Sequence, residues 1–270
     1  MSFKKILYVT LIFLLTLSCK DKNKETDNIF KFRKYINYTT SGIVSTTSSV
    51  TISLAKDVKN WEEDKKLSKE IFSISPNVAG ELVAKNQHKF QFIPSEKLAS
   101  DTEYSVTVNL GKIYKNISSE FKKYTFQFKT IKPNFTINTG NLQSYDKNYQ
   151  YLIGAIKSAD AISLNQAKEL VNVYQQNEEI NVVFNESFEN GTTFEFKIDS
   201  IKRLEDDSEL VVKWNGNAIK SDFKGENLLT IPGKNNFKIV NISAKQNTEQ
   251  FVSINFSDPL ETNQNFDGLI

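Results

Sequence analysis

Cysteine occurs once in this 270-residue chain, and so do histidine and methionine, scarcities that remove whole classes of chemistry. The cysteine is Cys19, so whatever folds after it holds no disulfide, no thiol nucleophile and no cysteine-ligated metal. The one histidine, His88, sits in the polar run Lys85-Asn86-Gln87-His88 and reads as a solvated turn residue. No serine carries the apolar or Gly-rich framing of a Ser-His-Asp site, and no Gly-rich loop is set to cradle phosphate. Basic and acidic residues nearly cancel, 34 against 32, which argues against nucleic acid or a polybasic membrane surface as partner. Glu205-Asp206-Asp207 supplies oxygen ligands, but a calcium loop needs six or more of them with a glycine-assisted turn, so this run reads as a solvated hairpin loop. Glu62-Glu63-Asp64 and Glu178-Glu179 likewise read as solvent-facing charge. No catalytic residue, cofactor or metal site is assigned, and the chain reads as a non-enzyme.

What is abundant points to β-structure. Phe occurs 20 times and Tyr 10 times, and aromatic rings suit a half-buried pleated face. Ser49 to Leu54 alternates, placing Val50, Ile52 and Leu54 on one side; Lys89 to Pro94, Tyr104 to Leu110 and Tyr124 to Lys129 repeat that period. Spaced strands with polar connections predict an antiparallel sandwich over residues 32–132. The charged stretch Asp57 to Lys69 is expected to be a surface helix or an ordered loop, with Trp61 packed inside.

A second β-domain with one short helix is expected over 133–233. Ser163 offers an N-cap, and Leu164, Ala167, Val171 and Tyr174 fall on one helical face, predicting a helix from Leu164 to Gln175 with that stripe in the core. Strands are expected at Tyr149 to Ile156, Ile180 to Phe184, Thr193 to Ile201 and Glu209 to Trp214, and Asn215-Gly216 signals a turn. From 234 to 270 two further strand patterns, Phe237 to Ile242 and Phe251 to Phe256, flank the polar Lys245 to Glu249. Too short for a sandwich, they read as the start of a third, truncated unit.

The N-terminus reads as a secretory leader over 1–18, with Lys4 and Lys5 before an apolar run from Ile6 to Leu17. Leu15-Thr16-Leu17-Ser18-Cys19 resembles the lipobox of bacterial lipoproteins, with Thr16 where that family usually has Leu. The resemblance implies cleavage before Cys19 and a diacylglycerol on its sulfur; an ordinary cleaved leader and an uncleaved anchor are the alternatives. Residues 19–31 then form a flexible polar stalk, and Lys20-Asp21 is similar to surface-export signals of Bacteroidetes lipoproteins. A lipid-anchored protein of the cell envelope is expected, on the outer membrane and facing either the periplasm or the surface.

Several blocks, taken in order, resemble the N-terminal part of bacterial alpha-2-macroglobulins. They are Ile74-Ser75-Pro76-Asn77-Val78-Ala79-Gly80, Phe92-Ile93-Pro94-Ser95-Glu96-Lys97-Leu98, Gly154-Ala155-Ile156-Lys157-Ser158-Ala159-Asp160, Leu210-Val211-Val212-Lys213-Trp214-Asn215-Gly216 and Gln250 to Leu260. The resemblance implies tandem immunoglobulin-like and macroglobulin-like sandwiches that carry a membrane anchor, further macroglobulin domains in a longer chain, and proteases as the targets of the whole protein. The family's thioester motif, Cys-x-Glu-Gln, has no counterpart here, because Thr248-Glu249-Gln250 lacks the cysteine. The competing reading is a surface lipoprotein whose sandwiches bind glycans or mediate adhesion through Trp61, Tyr145, Tyr149 and Tyr151.

Overall fold

A computed structural model describes residues 29–246, 249–263, 265 and 267. The leader, Cys19 and the stalk up to residue 28 lie outside the described residues. Two compact units emerge: one gathers 48–97 and 103–129 with the chain before residue 44, the other 44–47, 98–102 and everything from 130.

The first unit is built from β1 (Ile36–Thr39), β2 (Ile43–Val44), β3 (Val50–Leu54), β4 (Phe72–Ser75), β5 (Gly80–Asn86), β6 (Lys89–Pro94), β7 (Glu103–Val108) and β8 (Tyr124–Thr130). They form two antiparallel sheets in the orders β1-β3-β6-β5 and β2-β8-β7-β4, the strand arrangement of an immunoglobulin-like sandwich. Strict alternation places Val50, Ile52 and Leu54 inward, and Tyr124, Phe126 and Phe128 likewise. Ile52 faces Phe90 across one sheet, Val106 faces Phe126 across the other, and the ring of Phe72 stacks on Phe92 at 4.8 Å. Each such side chain removed from water contributes about 1.5–3 kcal/mol, and apolar packing holds this sandwich without a disulfide.

The charged stretch after β3 is an ordered loop, not a helix. Its backbone pairs with the outer edge of β5, Asp64 N–H to the Ala84 carbonyl and Leu67 N–H to that of Leu82, with Ala84 N–H returning to Lys65. Trp61 pins the loop, 8% exposed and edge-on to Phe90 at 5.4 Å.

The second unit holds β9 (Phe135–Thr139), β10 (Gln143–Ser144), β11 (Tyr149–Ser163), β12 (Val171–Gln175), β13 (Glu178–Ile180), β14 (Val182–Phe184), β15 (Asn190–Lys202), β16 (Ser208–Asn215) and β17 (Lys224–Ile231). One sheet runs β10-β11-β15-β14 with β9 also on β11, and the other β13-β12-β16-β17. Leu152, Ile156, Phe196 and Ile198 from the first close on Val171, Val173, Leu210 and Val212 from the second.

Two local expectations fail here. The helix from Ser163 is capped as expected, with Gln166 N–H donating to the Ser163 hydroxyl and the Gln166 side chain accepting from Ser163 N–H, but it ends at Lys168. From Val171 the β-branched run pairs with β16, Val173 opposite Val212, so period two wins and Tyr174 turns to the outer face, away from the core. Ile180 to Phe184 breaks at Asn181, leaving β13 in one sheet and β14 in the other. The turn signalled by Asn215-Gly216 is present as the 3-10 turn Gly216–Ile219, packed so closely that a Cβ at Gly216 would lie 2.6 Å from the Ser221 carbonyl oxygen.

After Gly233 come β18 (Ile239–Gln246) and β19 (Gln250–Phe256), an antiparallel ribbon whose strands pair only with each other among the described residues. The ribbon groups with the second sandwich in one compact unit.

Candidate functional site

Strand β15 leaves its sheet through Lys202 and delivers Arg203, one of two arginines in the chain, into the base of the ribbon. Its side chain is 0% exposed. Nε donates to the Pro232 carbonyl at 3.0 Å and Nη2 to that of Gly233 at 2.6 Å. Nη1 donates to Asp258 Oδ1 at 2.6 Å and to the Lys147 carbonyl at 3.3 Å. The planar fork thus reads three chain segments at once: the turn before β11, the linker after β17 and the exit from β19. Lysine, a point charge, offers no such geometry.

A second clasp lies four residues on. The Asp207 carboxylate accepts from Gly233 N–H at 2.8 Å, from the Asn236 amide at 3.0 Å and from Lys238 Nζ at 2.9 Å. Those donors, the Gly233 amide foremost, hold the Asp207 carboxyl down to about 2. At Asp258 burial works the other way, yet the Arg203 and Ser257 hydrogen bonds outweigh it and the carboxyl stays below its usual range. Ser257 completes the joint: its carbonyl accepts from Gln150 Nε2 at 2.9 Å, and its hydroxyl accepts from Lys238 N–H at 3.0 Å.

What the joint holds is an amphipathic ribbon. Ile242 lies opposite Ile254, Ala244 opposite Val252 and Ile239 opposite Phe256, while Phe237 stacks on Phe256 at 5.4 Å. That face is open, with Phe237 59%, Ile242 60% and Val252 63% exposed. The other face pairs Asn241 with Asn255, Ser243 with Ser253 and Lys245 with Phe251, and is polar but for that ring. Beside the joint a groove of about 750 Å³ runs past Tyr145, Lys234, Phe237, Phe256 and Leu260.

The residues singled out from the sequence are scattered. Trp61 is a core residue of the first unit. Tyr145 and Tyr151 do meet, stacked at 4.3 Å, with Lys197 Nζ over both rings and bonded to the Tyr145 hydroxyl. Tyr149 is next to them at the start of β11, its carbonyl accepting from Tyr145 N–H at 3.1 Å, and lies opposite Lys202. His88 is exposed, its Nδ1 3.1 Å from Asp57. The Glu205 to Asp207 loop closes no hairpin, because the strands it joins, β15 and β16, lie in different sheets, and it is more than solvated charge, since Asp207 clasps the linker and Glu205 pairs with Lys234. No group of acidic, histidine or cysteine side chains among the described residues is arranged to hold a metal ion. Arg203 and Asp258 were not singled out; the available signal was an arginine, in a lysine-dominated chain, directly after an apolar strand.

No family model matches the chain and no curated protein matches it. Among solved structures it is similar to domains 4 and 5 of the S-layer protein SbsC, at 13% identity and a TM-score of 0.33 over 74% of this chain and 96% of that one. It is similar to the I9–I11 tandem of titin at 11% identity and a TM-score of 0.31, over 77% and 68%. L,D-transpeptidase 3 from Mycobacterium tuberculosis is matched at 9% identity and a TM-score of 0.26, over 44% of each chain. At such scores these likenesses carry no argument about activity.

Proposed function

We propose that the chain is the anchoring and positioning part of an alpha-2-macroglobulin-type protease trap: lipid on Cys19 holds it to the cell envelope, and its β-modules present further macroglobulin-like domains. The observation that carries this reading is the rigid joint at Arg203. A scaffold needs a fixed exit direction, and a buried guanidinium bonded to three segments supplies one. The ribbon that the joint holds then offers an open apolar face, which suits it to be the first hairpin of a third macroglobulin-like domain. The ordered sequence blocks between Ile74 and Leu260 support the same assignment.

Two measurements test the two halves. Labelled palmitate fed to cells should enter the protein and be lost in Cys19→Ala, which should also leave the membrane fraction; a variant still labelled or still membrane-bound would refute the anchor. The gene product carrying these residues, incubated with trypsin, chymotrypsin and elastase, should protect a large protein substrate while small chromogenic peptides are still cleaved. Unimpeded digestion of the large substrate by all three would refute the trap.

A further inference from the structure

The solvent face of the β13-β12-β16-β17 sheet carries a shallow groove of about 510 Å³, lined by Tyr174, Gln176, Asn177, Glu209, Val211 and Lys213. Its composition follows from the failed helix: once Val171–Gln175 pairs as a strand, Tyr174 stands on the outer face opposite Val211, and Lys213 Nζ reaches to 5.7 Å from its ring centre.

The polar lining is held by rigid backbone. Gln176 and Asn177 have φ of 52° and 68° between the paired residues Gln175 and Glu178, a two-residue turn with both centres left-handed, as in type I′. Glu209 lies on β16, paired with Thr230 of β17 and one residue beyond the last pair with β12, Gln175 with Leu210. Neighbouring polar groups are already engaged, Asn172 with Glu179 at 2.9 Å and Lys213 with Glu226 at 3.7 Å. By contrast the side chains of Gln176, Asn177 and Glu209 make no hydrogen bond among the described residues. Two free amides and a free carboxylate therefore converge beside one aromatic face, on elements that pay little ordering entropy when a ligand arrives.

We propose that this groove binds a neutral oligosaccharide. A pyranose presents an apolar C–H face that stacks on an aromatic ring and a rim of vicinal hydroxyls that donate and accept together, which suits amide pairs and a carboxylate. Glu209 and Lys213 cancel, and Glu179 and Glu226 add negative charge nearby, so phosphate and nucleic acid are disfavoured. With one stacking ring and an open groove, binding is weak, with a dissociation constant on the order of 1 mM. This site is independent of the scaffold reading, since it uses neither the anchor nor the ribbon.

Affinity electrophoresis of residues 29–270 through native gels cast with xylan, mixed-linkage β-glucan, galactomannan or starch tests it. At least one gel should retard the protein, and Tyr174→Ala should weaken that retardation about tenfold. Asn177→Gly, which keeps the left-handed turn and removes only the amide, should weaken it severalfold, and both variants should keep the parent's circular dichroism. No retardation by any of the four polysaccharides, or equal retardation of folded Tyr174→Ala, overturns the site.

Discussion

Removing the counter-charge of Arg203 is the most direct challenge to the rigid joint. Asp258→Ala leaves a guanidinium that is 0% exposed without its carboxylate, and breaking a buried pair from one side costs about 3–5 kcal/mol. The chain has two tryptophans, Trp61 in the first sandwich and Trp214 in the second, so a Trp61→Phe background lets fluorescence report the second unit alone. For a urea slope of about 2 kcal/mol/M, the Trp214 transition should fall by roughly 1.5–2.5 M. Arg203→Met in the same background strands the Pro232, Gly233 and Lys147 carbonyls and should also lower it. Because both changes break one network, the double variant should lose clearly less than the sum of the singles. A shift under about 0.5 M for Asp258→Ala, or strict additivity in the double variant, would refute the claim that this ion pair organises the joint.

Two further expectations rest on single residues. The Asp207 carboxyl sits near 2, below the roughly 3.9 of an unfolded chain, so its contribution is complete above about pH 4 and disappears as pH falls through 2. Melting temperature of the second unit should drop over that window, and Asp207→Asn should flatten the profile; parallel profiles would contradict the clasp. Gly154→Ala puts a Cβ 2.4 Å from the Phe196 ring and 2.8 Å from the Asn138 carbonyl oxygen, so the second transition in calorimetry should lose about 1–3 kcal/mol while the first stays put.

The strands that were legible are those with one face wet. Val50 to Leu54 and Tyr124 to Thr130 alternate because water lies on one side and core on the other. Strand β5 hides the signal, since Leu82, Val83 and Ala84 are all buried once the loop closes over its edge. Strand β12 was masked by coincidence: Leu164, Ala167, Val171 and Tyr174 fit a helical stripe, and only the β-sheet partner decides against it. The joint was beyond reach of local pattern, because Lys147, Arg203, Pro232 and Asp258 meet only after the sheets have paired.

The loop sealed over β5 has a consequence for how this molecule tolerates crowding. An uncovered Leu82-Val83-Ala84 edge is a template on which another copy's backbone adds, and lateral growth of that kind leads to insoluble assemblies. Trp61 is the rivet of that seal, so its loss should announce itself as self-association at high concentration, well before the sandwich itself begins to melt.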